Sequence, residues 1–178
     1  TLDKLDFGSA AGNNPNLFDH AAIEKGRINT SAEAALCLLT YQSYSPGGLM
    51  GVSRWGGEQT SRSSEHAPCL EGSPLHTLLR AQNLIETIHH NLMTKQQVGE
   101  STNMEWGCPV WETEITSPSD SQAMTGTKSF LGRLAPLTRG ILIDDGLCLC
   151  TLLNGLSYPK LTECRDPMLT VIAIDNRG

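Results

Sequence analysis

The sequence predicts an α+β fold, with two helices in the first half and a small antiparallel sheet in the last third. Three patterns predict it. Residues 30–44 open on a helix-start signal and continue with apolar residues at helical spacing, and residues 83–92 repeat that arrangement. Residues 131–143 then alternate with a period of two, before an Asp-Asp-Gly turn and an apolar return.

The elements follow in order. Residues 1–20 read as a long loop: Asn13, Asn14 and Pro15 give a turn signal, and the stretch closes on Leu17, Phe18, Asp19 and His20. Loops of that length, when ordered, often carry function. In the first helix, Thr30 and Glu33 form a capping box that satisfies amides otherwise unpaired in the first turn. Ala32, Ala35, Leu36 and Leu39 are its predicted buried stripe, and Pro46, Gly47 and Gly48 end it. Residues 45–74, rich in Gly and Ser, are expected to be loop. Thr77 to Leu79 reads as a short strand or as the start of a helix opened by Pro74.

Asn83 with Glu86 starts the second helix, and Leu84, Ile85, Ile88 and Leu92 give its apolar face. His89 and His90 are neighbours, point apart and read as surface or interface residues. Residues 95–129 are polar, with Trp106 and Trp111 around Cys108-Pro109, and no element is predicted there. Leu131, Arg133, Ala135, Leu137, Arg139, Ile141 and Ile143 fall on one face of an extended segment, in which Pro136 predicts a break or an edge. Asp144-Asp145-Gly146 is a turn, Leu147 to Leu153 is the hairpin partner, and Met168 to Ile174 is a further strand.

At 178 residues the chain suits one domain or a piece of a larger one. Its 39% apolar and 18% charged content supports a core and argues against wholesale disorder. No run of 18 apolar residues predicts a membrane helix. The opening residues read as the middle of something, and the last strand has no partner after it. An internal fragment of a longer protein is therefore expected. No charged-then-apolar leader points to secretion, so a reducing, cytoplasmic setting is expected. A net charge of −6 excludes a uniformly basic nucleic-acid coat, though not a local basic site or one built from backbone amides. The C-terminal third holds Arg133, Arg139, Arg165 and Arg177, read either as a basic face or as solvated strand arginines.

Six cysteines are present: Cys37, Cys69, Cys108, Cys148, Cys150 and Cys164. Cys37, inside AALCLLTY, reads as a small buried hydrophobe. Cys148 and Cys150 share one face of a strand and, with His66 and Cys69, offer four zinc-type ligands. Their C-x-C spacing is not the usual knuckle, and structural thiols are the simpler reading. The chain has no G-x-S-x-G, no H-E-x-x-H and no phosphate-binding G-x-x-x-x-G-K-[ST]. Asp19-His20 could form half of a base–orienter pair. A metal-dependent hydrolase domain using Asp19, His20 and His66 is therefore the second reading.

The first reading centres on PGGLMG, Pro46 to Gly51. Glycines let a backbone approach a ligand closely. Such a segment fits a groove too narrow for most side chains, and the DNA minor groove is only about 6 Å wide. A helix end followed by a linker is the plain alternative.

The blocks AAGNNPNLFDH, SAEAALCLLTYQSYSPGGLMG, APCLEGSPLHTLLRAQNLIETIHHNLM, PVWE, FLGRLAPLTRGILID and NGLSYP occur in that order. Together they resemble the large subunit of the type I-E CRISPR Cascade complex, the CasA family. The resemblance covers most of the chain. It implies one stretch, 1–178, of a larger N-terminal α/β domain, without the family's C-terminal helical bundle. It further implies a subunit that is not an enzyme and needs no cofactor. Such a subunit recognises the protospacer-adjacent motif of target double-stranded DNA from the minor groove and helps recruit the helicase–nuclease. Its partners would be the crRNA, the target duplex and the other Cascade subunits. By motif position the DNA-binding glycine loop falls on Gly47, Gly48, Leu49, Met50 and Gly51. The loop near the crRNA 5′ handle and the motif falls on Asn13, Asn14, Leu17, Phe18, Asp19 and His20. The family's lysine finger has no counterpart in Asp175-Asn176-Arg177. The Cys-x-x-Cys pairs of some relatives are missing, so no metal is expected.

Overall fold

Helix α1 spans Ser31–Tyr44 in the computed structural model, which describes residues 2–7, 30–70 and 76–160. Its start follows the sequence. Thr30 Oγ1 accepts from the Glu33 amide at 3.2 Å, and Glu33 Oε2 accepts from the Thr30 amide at 2.9 Å. The face it buries is not the predicted one. Ala34, Cys37, Leu38 and Tyr41 pack on Leu2 and Leu5, while Ala32, Ala35, Leu36 and Leu39 are exposed. The run AEAALCLLT is apolar nearly all round, so spacing alone does not choose a side. Two contacts do. The Tyr41 ring stacks on Phe7 with centroids 5.3 Å apart. Gln42, also on that side, gives Nε2 to the Arg139 carbonyl at 2.7 Å and takes the Arg139 amide on Oε1 at 2.9 Å.

The element that α1 meets is a hairpin. Four short strands precede it: β1 (Gly48–Leu49), β2 (Arg54–Trp55), β3 (Glu58–Gln59) and β4 (Ser63–Ser64). The hairpin strands are β5 (Arg139–Ile143) and β6 (Cys150–Asn154), antiparallel with Arg139 opposite Asn154 and Ile143 opposite Cys150. Ile141, Ile143, Leu147, Cys150 and Leu152 close the core against α1. Asp144 shapes the turn: its Oδ1 accepts from the Cys148 amide at 2.8 Å and the Leu149 amide at 2.6 Å. The extended segment is shorter than the alternation predicts. Leu131–Arg133 is a 3₁₀ turn, and the strand begins only at Arg139. Pro136, fully buried, has no amide to donate to a ladder.

The expected loop at residues 45–74 contains nested antiparallel pairs: β1 with β4, and β2 with β3. Gly56 and Gly57, at φ of +57° and +82°, make the two-residue turn inside the inner pair. Helix α2 (Leu84–Asn91) starts at Asn83, whose Oδ1 accepts from the Glu86 amide at 2.9 Å. None of its residues is buried; Leu84, Ile85 and Ile88 are exposed, as are His89 and His90. Thr77 to Leu79 forms neither helix nor strand, and Asn91 bonds both the amide and the carbonyl of Leu79.

Two helices arise where none is predicted. Helix α3 (Lys95–Ser101) has a Thr94–Gln97 capping box, and α4 (Ser121–Gly126) has Asp120 as its cap. Each buries little apolar surface: Val98 in one, Ala123 and Gly126 in the other. The sheets among the described residues are all two-stranded and antiparallel, which makes the fold α+β as predicted. The expected strand at 168–174 lies outside the described residues. No described helix is long and apolar enough to cross a membrane.

Candidate nucleic-acid interface

Helix α1 hands the chain to the glycine segment through Ser45, which is fully buried. Its Oγ lies 3.3 Å from Thr138 Oγ1, and its carbonyl accepts the Ala67 amide at 2.8 Å. The chain then surfaces. Gly47, Gly48, Leu49 and Gly51 are exposed and Met50 is half-buried. Leu49 is 78% exposed, so the tip presents an apolar side chain to solvent.

The two leading glycines do different work. A Cβ on Gly47 would stand 3.0 Å from the His66 amide nitrogen and 3.1 Å from the Ser64 carbonyl oxygen. Gly47 therefore lets the two main chains close on each other. Gly48 faces open space but sits at φ +147°, a conformation that side-chain-bearing residues rarely adopt. The segment is also part of a ladder. Gly48 lies opposite Ser64 and Leu49 opposite Ser63, and the Met50 amide donates to the Arg62 carbonyl at 3.0 Å. Ser64 Oγ donates to the Gly48 carbonyl at 3.2 Å. Arg54 and Arg62, on the neighbouring short strands and turns, are exposed.

Beneath this surface lies a polar layer that the sequence does not announce. Arg139 is 3% exposed, so it is neither a basic face nor a solvated strand arginine. Its Nη2 donates to the Pro46 carbonyl at 2.6 Å, and its Nη1 donates to the Glu65 and Thr138 carbonyls at 3.1 and 2.8 Å. Burial lowers the guanidinium from its usual value, and Tyr41 opposes that shift. Asn154, equally buried, gives Nδ2 to the Ser63 carbonyl at 3.0 Å and to the Ser61 carbonyl. Thr138 Oγ1 donates to the Gln42 carbonyl at 2.7 Å. A pattern of alternation cannot reveal such residues, since their partners are carbonyls some 90 positions away in the chain.

The other predicted site residues fare differently. Asn13, Asn14, Leu17, Phe18, Asp19 and His20 lie outside the described residues. Of the hydrolase set only His66 is described, exposed beside Gly47. Among the described residues no group of three or more His, Cys, Asp or Glu is placed to hold a metal. Cys148 sits exposed in the turn rather than on the strand. Cys150 is half-buried against the core, where desolvation raises its thiol above the ordinary range. Nothing described supports the hydrolase reading.

Residues 2–168 match the family model described as CRISPR-associated protein Cse1. The chain is 33% identical over 141 residues to CRISPR-associated protein CasA/Cse1 of Thermus thermophilus, covering 77% of this chain and 25% of that protein. The crystal structure of CasA from the same organism superposes with a TM-score of 0.54 at 26% identity, over 82% of this chain and 28% of that one. The chain thus spans about a quarter of the length of the curated relative it matches.

Proposed function

Because the chain belongs to the CRISPR-associated Cse1 family, we propose that it is part of the large, non-catalytic subunit of an RNA-guided interference complex. In this reading Gly47 to Gly51 enter the minor groove of target duplex DNA and test the protospacer-adjacent motif. The residues 13–20 loop lies by the crRNA 5′ handle. The subunit works in the cytoplasm with the other Cascade subunits and helps bring in the helicase–nuclease.

One observation carries the reading most: an exposed segment that opens on two residues without side chains, Gly47 and Gly48, the second of them in a ladder with Ser64. The minor groove, about 6 Å wide, admits bare main chain at Gly47 and Gly48 where bulky side chains at those two positions would be kept out. Its pattern of donors and acceptors is degenerate, so a reader of this kind tolerates several related motifs. Guide pairing reads the rest of the target, which removes any need for a broad basic surface on a chain of net charge −6.

The test is Gly48→Val in the full-length subunit, assembled with its guide RNA. The variant adds bulk at the groove and strains the backbone at φ +147°. Affinity for duplex targets with a correct motif is expected to fall by about tenfold or more, the cost of one lost base-edge contact. Unchanged affinity removes the glycine segment from motif reading.

A further inference from the structure

We propose that Arg139 and Asn154 are a pair of positioning residues that set the shape of the glycine segment, and with it motif discrimination. The proposal rests on the reading of that segment given under Proposed function. The two residues stand directly opposite each other at the open end of the β5–β6 hairpin. Both are buried, at 3% and 5% exposure. Each points its donors at main-chain carbonyls of the same small ladder. Arg139 takes Pro46, just before β1, and Glu65, just after β4. Asn154 takes Ser61 and Ser63, at the entry to β4. Carbonyls at the entry to the glycine segment and along its partner strand are thus drawn down onto one cross-strand pair.

The ladder needs this support. It has two residue pairs, and an isolated two-stranded ribbon is marginal in water even at greater length. Its shape is therefore imposed from below, not by its own hydrogen bonds. The close approach at Gly47 accords with this, since a methyl group there would press on the facing main chain at 3.0–3.1 Å. The pair also has little other employment. The Arg139 guanidinium donates to three carbonyls and has Tyr41 beside it. Among the described residues Asn154 Oδ1 has no partner, and its amide is held by what Nδ2 donates. A buried cation committed to carbonyls fixes position through charge-assisted bonds, which are roughly twice as strong as neutral ones.

The experiment uses the full-length subunit assembled with guide RNA, bearing Arg139→Lys or Asn154→Asp. Lysine keeps the charge but loses the planar fork that reaches two carbonyls. Aspartate keeps the shape but replaces the Nδ2 donors by an acceptor. Binding is measured to a duplex with the correct motif, a duplex with a wrong motif, and a guide-complementary single strand. Each variant is expected to reduce the correct-to-wrong affinity ratio by about tenfold, with single-strand binding unchanged. An unchanged ratio in both variants, while Gly48→Val lowers it, overturns the pair and leaves the glycine reading standing. An unchanged ratio in Gly48→Val as well overturns both. Equal losses on all three targets, or failure of both variants to assemble, mark the pair as structural only and overturn the proposal. If one variant fails to assemble, the ratio measured with the other decides.

Discussion

Tyr158 shows how one side chain can hold two parts of this fold. Its hydroxyl accepts the Leu137 amide at 2.6 Å, just before β5 begins, and the Arg133 guanidinium lies 5.4 Å from its ring centroid. Burial pushes the phenol from its ordinary 10.0 up to about 12. Between those values the folded chain keeps a proton that the unfolded chain has lost. The contribution to stability is therefore whole below pH 10 and declines as pH rises through about 12. Tyr158→Phe leaves the Leu137 amide without its acceptor in a half-buried place, at a cost of about 1–3 kcal/mol. Denaturant unfolding should show that loss below pH 10, together with a flatter alkaline decline than in the parent chain. Equal stability of the two chains would show that water serves the Leu137 amide as well as the phenol does.

At the scale of elements, the β5–β6 turn depends on Asp144 in the same sense in which α1 depends on Thr30. The Asp144 carboxylate accepts from the amides of Leu149 and Cys148, and those bonds hold it below the usual value of 3.8. A depressed carboxylate stabilises the fold above its ordinary value and ceases to do so as pH falls through the folded one. Asp144→Ala should lower the Tm at neutral pH. Asp144→Asn, which keeps one acceptor, should recover part of the loss and show less acid dependence; identical melting of all three would refute this role. Both devices were legible in the sequence because a cap and a tight turn are local, written within four or five residues. The caps of α3 and α4 were equally local, but polar stretches with one or two buried residues give no periodic signal to direct attention to Thr94 or Asp120. The buried face of α1 differs from the predicted one for the opposite reason. Apolar residues surround that helix, and the choice of side was made by Phe7 and by the edge of β5. PGGLMG stood out as a candidate because glycine marks close approach. Arg139 and Asn154, which hold it, could not stand out, because nothing in a linear pattern distinguishes a carbonyl-bound arginine from a solvated one.

The whole molecule poses a question of charge. A chain with 13 basic and 19 acidic side chains is a poor general ligand for a polyanion. On the proposed reading it needs few phosphate contacts, because guide pairing and partner subunits hold the target. Two exposed cations lie close to the glycine segment in the fold: Arg62, whose carbonyl pairs with the Met50 amide, and Arg54, on β2. Each neutralised phosphate steepens the fall of log affinity with log salt by about 0.9. If Arg54 and Arg62 each take one phosphate, Arg54→Ala with Arg62→Ala in the assembled complex should flatten that slope by about two. Their effect on wrong-motif duplexes should match that on correct ones, since phosphate contacts position the duplex and base contacts specify it. Discrimination would then stay with the glycine segment while affinity falls. A slope unchanged by the double substitution would place the phosphate contacts on other residues of the assembled complex.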